Sequence, residues 1–180
     1  MLTSALLAAA ALLLFVAGVA KVRTPDPAAR MMVSLWPRFR PVRRARLVAR
    51  TVGVVETTAA VATLVTGSRA AIVVLLLCYL AVTAVAVRLA FGRERASCGC
   101  FGAADGAVGV PHLVVDTAAV VVTAWATAHP PGNVGSLFDG GALTGVTVVL
   151  QIVVLTALGY LSLTALPALV AARRTVEGAR

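Results

Sequence analysis

The stretch AAIVVLLLCYLAVTAVAVRLA, residues 70–90, runs for twenty-one residues with a single charged side chain, Arg88. At about 1.5 Å per residue a helix of that length is roughly 30 Å long, the thickness of a bilayer's hydrocarbon core. Four more blocks share this character, at residues 2–20, 47–66, 108–128 and 142–172. Whole-chain composition agrees with them. Hydrophobic residues make up 60% of the 180 residues and charged ones 13%, with a mean hydropathy of +0.97; soluble domains hold roughly 45–50% apolar and about 25% charged residues. So few charges cannot build a water-facing surface. The expected fold class is all-α, a polytopic transmembrane bundle of four to five helices, with residues 1–180 forming one integral membrane domain. A cleavable signal peptide is the alternative reading of the first block, on the small residues Ala17-Gly18-Val19-Ala20, but nothing basic precedes Leu2 and the basic residues follow Ala20, so a spanning helix is expected. The fifth is longer than a bilayer requires, and Pro167 suggests a kink or an exit into the interface.

A formal charge of +9 raises the question of nucleic acid, but its distribution points to lipid. Nine of the sixteen basic residues, Lys21 to Arg50, fall between the first block and the first turn of the second. Alternating from there places Arg88, Arg93, Arg95, Arg173, Arg174 and Arg180 on the same side and leaves Arg69 alone opposite. Short loops rich in Lys and Arg stay cytoplasmic, so the N-terminus is expected outside, in a multi-pass arrangement suited to a bacterial inner (plasma) membrane. Within residues 22–46, Trp36 and Phe39 stand among arginines and prolines. That mixture reads as a belt at the headgroup level, where aromatic rings anchor and each arginine gains about 1 kcal/mol from anionic lipid. Membrane lipid is therefore the expected partner, and nucleic acid is not. Gly67-Ser68-Arg69 leaves room only for a tight helical hairpin.

Chemistry concentrates in the third loop, at Ser97-Cys98-Gly99-Cys100-Phe101-Gly102. Cys78, among leucines, reads as a small apolar side chain. Cys98 and Cys100 stand one residue apart at a polar edge. A bridge between them needs a sharp backbone reversal, which Gly99 permits, and a bridge so short is strained and oxidising. Arg93, Arg95 and the start of the next helix favour the thiolate, the nucleophile in disulfide exchange. A structural clip, a pair without a role, and half of a metal site completed by His112 are the competing readings. The one-residue spacing argues against zinc, whose paired cysteines usually stand two to four residues apart; no metal site is assigned, and a cofactor is left unknown.

Ionisable residues inside the apolar blocks form the second signal, because a charge near the bilayer centre costs at least about 2.5–3.5 kcal/mol. Glu56 sits near the middle of the second block, roughly 14 Å from residue 47 along a helix. Asp116 lies inside the fourth, one helical turn after His112 and on the same face. All three fall in the membrane half that carries the cysteine loop. Each acid is either neutral or hydrogen-bonded to a partner that holds the bundle together, or it serves a proton-handling function.

The run Cys98-Gly99-Cys100-Phe101-Gly102 followed by a membrane helix resembles the MauE family of methylamine-utilisation membrane proteins, grouped with DoxX-like redox-associated proteins. Gly18-Val19-Ala20-Lys21 at the end of the first helix, Leu35-Trp36-Pro37 in the loop and Glu56 in the second helix are similar as well. The resemblance implies a helical bundle linked to disulfide chemistry, in maturation or export of a disulfide-rich methylamine dehydrogenase subunit outside the cytoplasm. The charge rule, by contrast, puts the CGC loop on the cytoplasmic side, so the pair exchanges with a cytoplasmic thiol system, or is carried inward by a re-entrant segment, or the topology is the reverse of the one the charges imply. The leading expectation is a thiol–disulfide oxidoreductase with Cys98 and Cys100 as the redox pair, Glu56 assisting proton movement, and a thiol-redox protein or maturation client as partner. A non-catalytic scaffold or chaperone, and a small transporter using Glu56 and Asp116, are the alternatives.

Overall fold

The computed structural model describes residues 2–92, 99–100, 108–132, 135 and 141–178, with side chains for all of these except 142 and 166–178. Among the described residues six helices follow one another: α1 (Leu2–Arg23), α2 (Asp26–Leu35), α3 (Val42–Thr66), α4 (Arg69–Ala90), α5 (Val110–Ala128) and α6 (Ala142–Gly178), with a 3-10 turn at Pro37–Phe39 between α2 and α3. No strand occurs among the described residues. Five of the helices are long and apolar enough to cross a membrane; in α6 that stretch is Leu143–Ala165. The chain is a polytopic helical bundle.

α1 lies at its centre. In its apolar window 56% of residues are buried, against 17% to 33% in the other four spans. Composition explains the position. Lipid tails are as apolar as leucine, so membrane helices associate through close packing, and small residues allow the closest approach. α1 presents Ala5, Ala8, Ala9, Ala10, Ala11, Ala17 and Gly18 to its neighbours, all buried. It packs along α3 and also meets α5 and α6, while α4 packs on α5 and α3. Leu7, Leu14, Ala60, Ile72, Leu75 and Ala119 join the central core. Outward-facing residues are large and apolar, among them Leu47, Val61, Leu77, Val121 and Leu150, as a lipid-facing surface requires. Several threonines in these helices turn their hydroxyls back on the preceding turn, as Thr57 does to the Gly53 carbonyl at 2.7 Å, which hides a donor from hydrocarbon.

The α1–α3 crossing is set by two glycines. A Cβ on Gly53 would lie 2.6 Å from the Gly18 carbonyl oxygen, and one on Gly18 would lie 2.5 Å from Thr57 Oγ1. At the far end, Gly67 closes α3 and Ser68 caps α4 by accepting from the Ala71 amide at 3.3 Å, forming the expected hairpin.

Three boundaries differ from the sequence expectation. α1 continues past Ala20 to Arg23, which puts Lys21 on a helical face instead of in a loop. α3 begins at Val42, so Arg43, Arg44, Arg46 and Arg50 are helical and exposed while Ala45 and Ala49 extend the buried stripe; arginine is a good helix former and does not end a helix. Within the proline-broken loop, α2 starts after Pro25 and stops at Trp36, before Pro37, with Ala28, Ala29 and Met31 buried. Helical structure in α6 runs unbroken through Pro167 to Gly178.

Candidate functional site

The glycine crossing brings two charges together. Lys21 stands three residues beyond Gly18 and Glu56 three beyond Gly53, and Lys21 Nζ donates to Glu56 Oε2 at 2.7 Å. Both side chains are buried, at 5% and 3% exposure. Glu56 therefore has the partner that a carboxyl group at this depth demands. Sequence reading had counted Lys21 among the loop charges that set topology. The extra turn of α1 buries it instead.

α4 and α5 supply the rest of the polar interior. Tyr79 on α4 donates its hydroxyl to the Ala10 carbonyl of α1 at 2.7 Å. His112 and Asp116, one turn apart on α5, are both buried. A cavity of about 30 Å³, room for one or two water molecules, is lined by Lys21, Tyr79, Cys100, His112 and Asp116, with Leu163 of α6 closing one side. His112, Asp116 and Cys100 of the cysteine loop thus meet at one cavity, and Glu56 joins through Lys21. Among the described residues, no three His, Cys, Asp or Glu side chains are arranged to hold a metal ion.

Cys100 reaches this cavity from beneath α2. It is 7% exposed and packs with Met31 of α2 and Leu89 of α4, flanked by Met32, Leu35, Val82 and Val108. Gly99 has φ +68°, the left-handed conformation that a reversal between the two cysteines requires. Its Cα presses on the start of α2, where an added Cβ would lie 2.6 Å from the Ala28 nitrogen. α2 is fastened in turn by an ion pair from Asp26 to Arg46 of α3, and beyond its end Trp36 carries the Arg88 guanidinium over its ring at 5.5 Å. Cys98, Arg93, Arg95, Phe101 and Gly102 lie outside the described residues. Cys78 is half-buried beside the central core, away from the cavity lining.

Two members of the cluster escaped sequence reading. Lys21 carried a signal, a basic residue two positions inside a helix end with an intramembrane acid in the next apolar block. Tyr79, in an unbroken apolar run, carried none.

No curated protein and no solved structure matches the chain. The family model described as methylamine utilisation protein MauE matches residues 1–129, a range that holds α1 to α5 and every polar residue lining the cavity, and the chain belongs to the MauE family of integral membrane proteins.

Proposed function

We propose that this protein is a membrane thiol–disulfide redox component in which Cys98 and Cys100 cycle between dithiol and disulfide. The observation that carries the reading is the position of Cys100, which lines a buried cavity with Lys21, Tyr79, His112 and Asp116. A cysteine with a purely packing role, such as Cys78, needs no polar surroundings. Buried ionisable groups are costly in a membrane and mark sites of proton or substrate handling. Glu56 fixes Lys21 at the edge of the same cavity, which supports its place in the site.

The exchange runs with a disulfide-bearing partner. The thiolate of Cys98 attacks one partner sulfur, the partner's S–S bond breaks, and a mixed disulfide forms as the first partner thiolate leaves. Cys100 then attacks Cys98 Sγ and releases the second partner sulfur. Two electrons pass to the partner, whose two thiolates take up the two protons given up by the cysteines. Cys100, covered by α2, suits the second, resolving step better than contact with a bulky partner.

The arginines of the first loop, of α3 and of the third loop support, by the charge rule, a cytoplasmic side for this end of the bundle in a bacterial inner membrane, and with it a cytoplasmic thiol partner. The family's description links the pathway to methylamine utilisation, and the client is a disulfide-containing enzyme such as methylamine dehydrogenase. The burial of Cys100 under α2 also favours a second reading, a scaffold whose CGC loop shapes a docking surface. Thiol trapping in membranes equilibrated with graded glutathione buffers separates them. The redox reading expects Cys98 and Cys100 to titrate together as a two-electron couple; cysteines that stay reduced across the physiological range leave the scaffold.

A further inference from the structure

Cys100 must lose its thiol proton before its sulfur can attack Cys98, and it is buried. That proton leaves through the cavity, so the groups facing the cavity decide where it goes. Lys21, from α1, already carries its proton in the ion pair with Glu56 of α3. Tyr79, from α4, is a donor engaged with the Ala10 carbonyl. Leu163, from α6, has nothing to offer. α5 brings the imidazole of His112, with Asp116 one turn on along the same face. Imidazole is the side chain that exchanges protons near neutral pH.

Resting on the thiol–disulfide reading, we infer that His112 is the proton acceptor for Cys100, with Asp116 positioning it. In the resolving step the Cys100 S–H bond breaks and its proton passes to an imidazole nitrogen of His112. The freed sulfur forms the Cys98–Cys100 bond as the bond from Cys98 to the partner's sulfur breaks. The departing partner thiolate takes the proton, returning His112 to its neutral form. The cysteine pair is oxidised by two electrons and the partner disulfide is reduced by two. Lys21 stays in the cavity lining, held by its ion pair with Glu56.

The test uses the full chain in lipid nanodiscs with Cys78→Ser as background, and follows two rates from about pH 6 to about pH 9. One is closure of the Cys98–Cys100 disulfide by glutathione disulfide. The other, with Cys98→Ser added, is alkylation of Cys100 by iodoacetamide. His112→Gln is expected to slow closure about a hundredfold near pH 7 and to slow alkylation in the same direction, with both deficits shrinking as hydroxide takes over at higher pH. His112→Ala is expected to lose rate likewise and to recover part of it with added imidazole. Val121→Ala, on the exposed apolar face of the same helix, should keep the parent rates and gain nothing from imidazole. Slowing that is independent of pH, unchanged rates, or no imidazole rescue in His112→Ala would each overturn the assignment. Alkylation needs no disulfide, so a pair that never closes sinks the redox reading alone, while the alkylation profile still judges His112.

Discussion

Removing one half of the Lys21–Glu56 pair is the perturbation with the largest calculable consequence. At 2.7 Å and an effective dielectric of about 20, the charges attract by about 6 kcal/mol. Desolvating two ions costs several kcal/mol each, so the pair roughly breaks even as a unit, but each charge is offset by the other. Lys21→Met or Glu56→Met alone therefore strands a buried charge and is expected to cost about 3–5 kcal/mol. The double substitution removes both charges and fills the space with two flexible apolar chains, so it should return to within about 1–2 kcal/mol of the parent. Reversible unfolding in bicelles, read by steric trapping, measures all four corners of the cycle. A double variant as unstable as the sum of the singles would refute the reasoning, because it would mean that the two charges do not support each other. The same proteins separate fold from function. If the pair serves the redox site, the stable double variant and Glu56→Gln should both reoxidise Cys98 and Cys100 more slowly than the parent.

Gly99→Ala places a Cβ 2.6 Å from the Ala28 nitrogen at a φ of +68°, so it should lift the loop from α2, cost about 1–3 kcal/mol, and speed maleimide labelling of Cys100; unchanged labelling would mean that α2 does not shield the thiol. Gly53→Ala drives a Cβ to within 2.6 Å of the Gly18 carbonyl and should destabilise by about 1–3 kcal/mol, measured by the same unfolding assay, with near-neutrality showing that the helices can part freely. On topology, a cysteine placed at Arg43 should resist a membrane-impermeant reagent in intact cells while one at His129 is labelled, and the reverse pattern would turn the CGC loop outward.

Fold class was legible because bilayer thickness is a one-dimensional constraint. It acts on each segment separately, and five apolar blocks satisfy it whatever their neighbours do. The hairpin at Gly67-Ser68 and the special backbone at Gly99 were legible for a similar reason, since each follows from a few adjacent residues. Glu56, Asp116 and His112 stood out as polar groups in hydrocarbon, where any ionisable side chain demands an explanation. What paired with what was not legible. The partner of Glu56 is fixed by a crossing of α1 on α3 at Gly18 and Gly53, residues thirty-five positions apart in sequence, and nothing in either helix alone announces it. Lys21 looked like one more topological charge until an added turn of helix carried it inside. The roof over Cys100 depends likewise on α2 folding back against α4 and the third loop. Hydropathy is a sum over one helix and survives without the others; an ion pair, a cavity and a covered thiol exist only once several helices have settled the angles at which they meet.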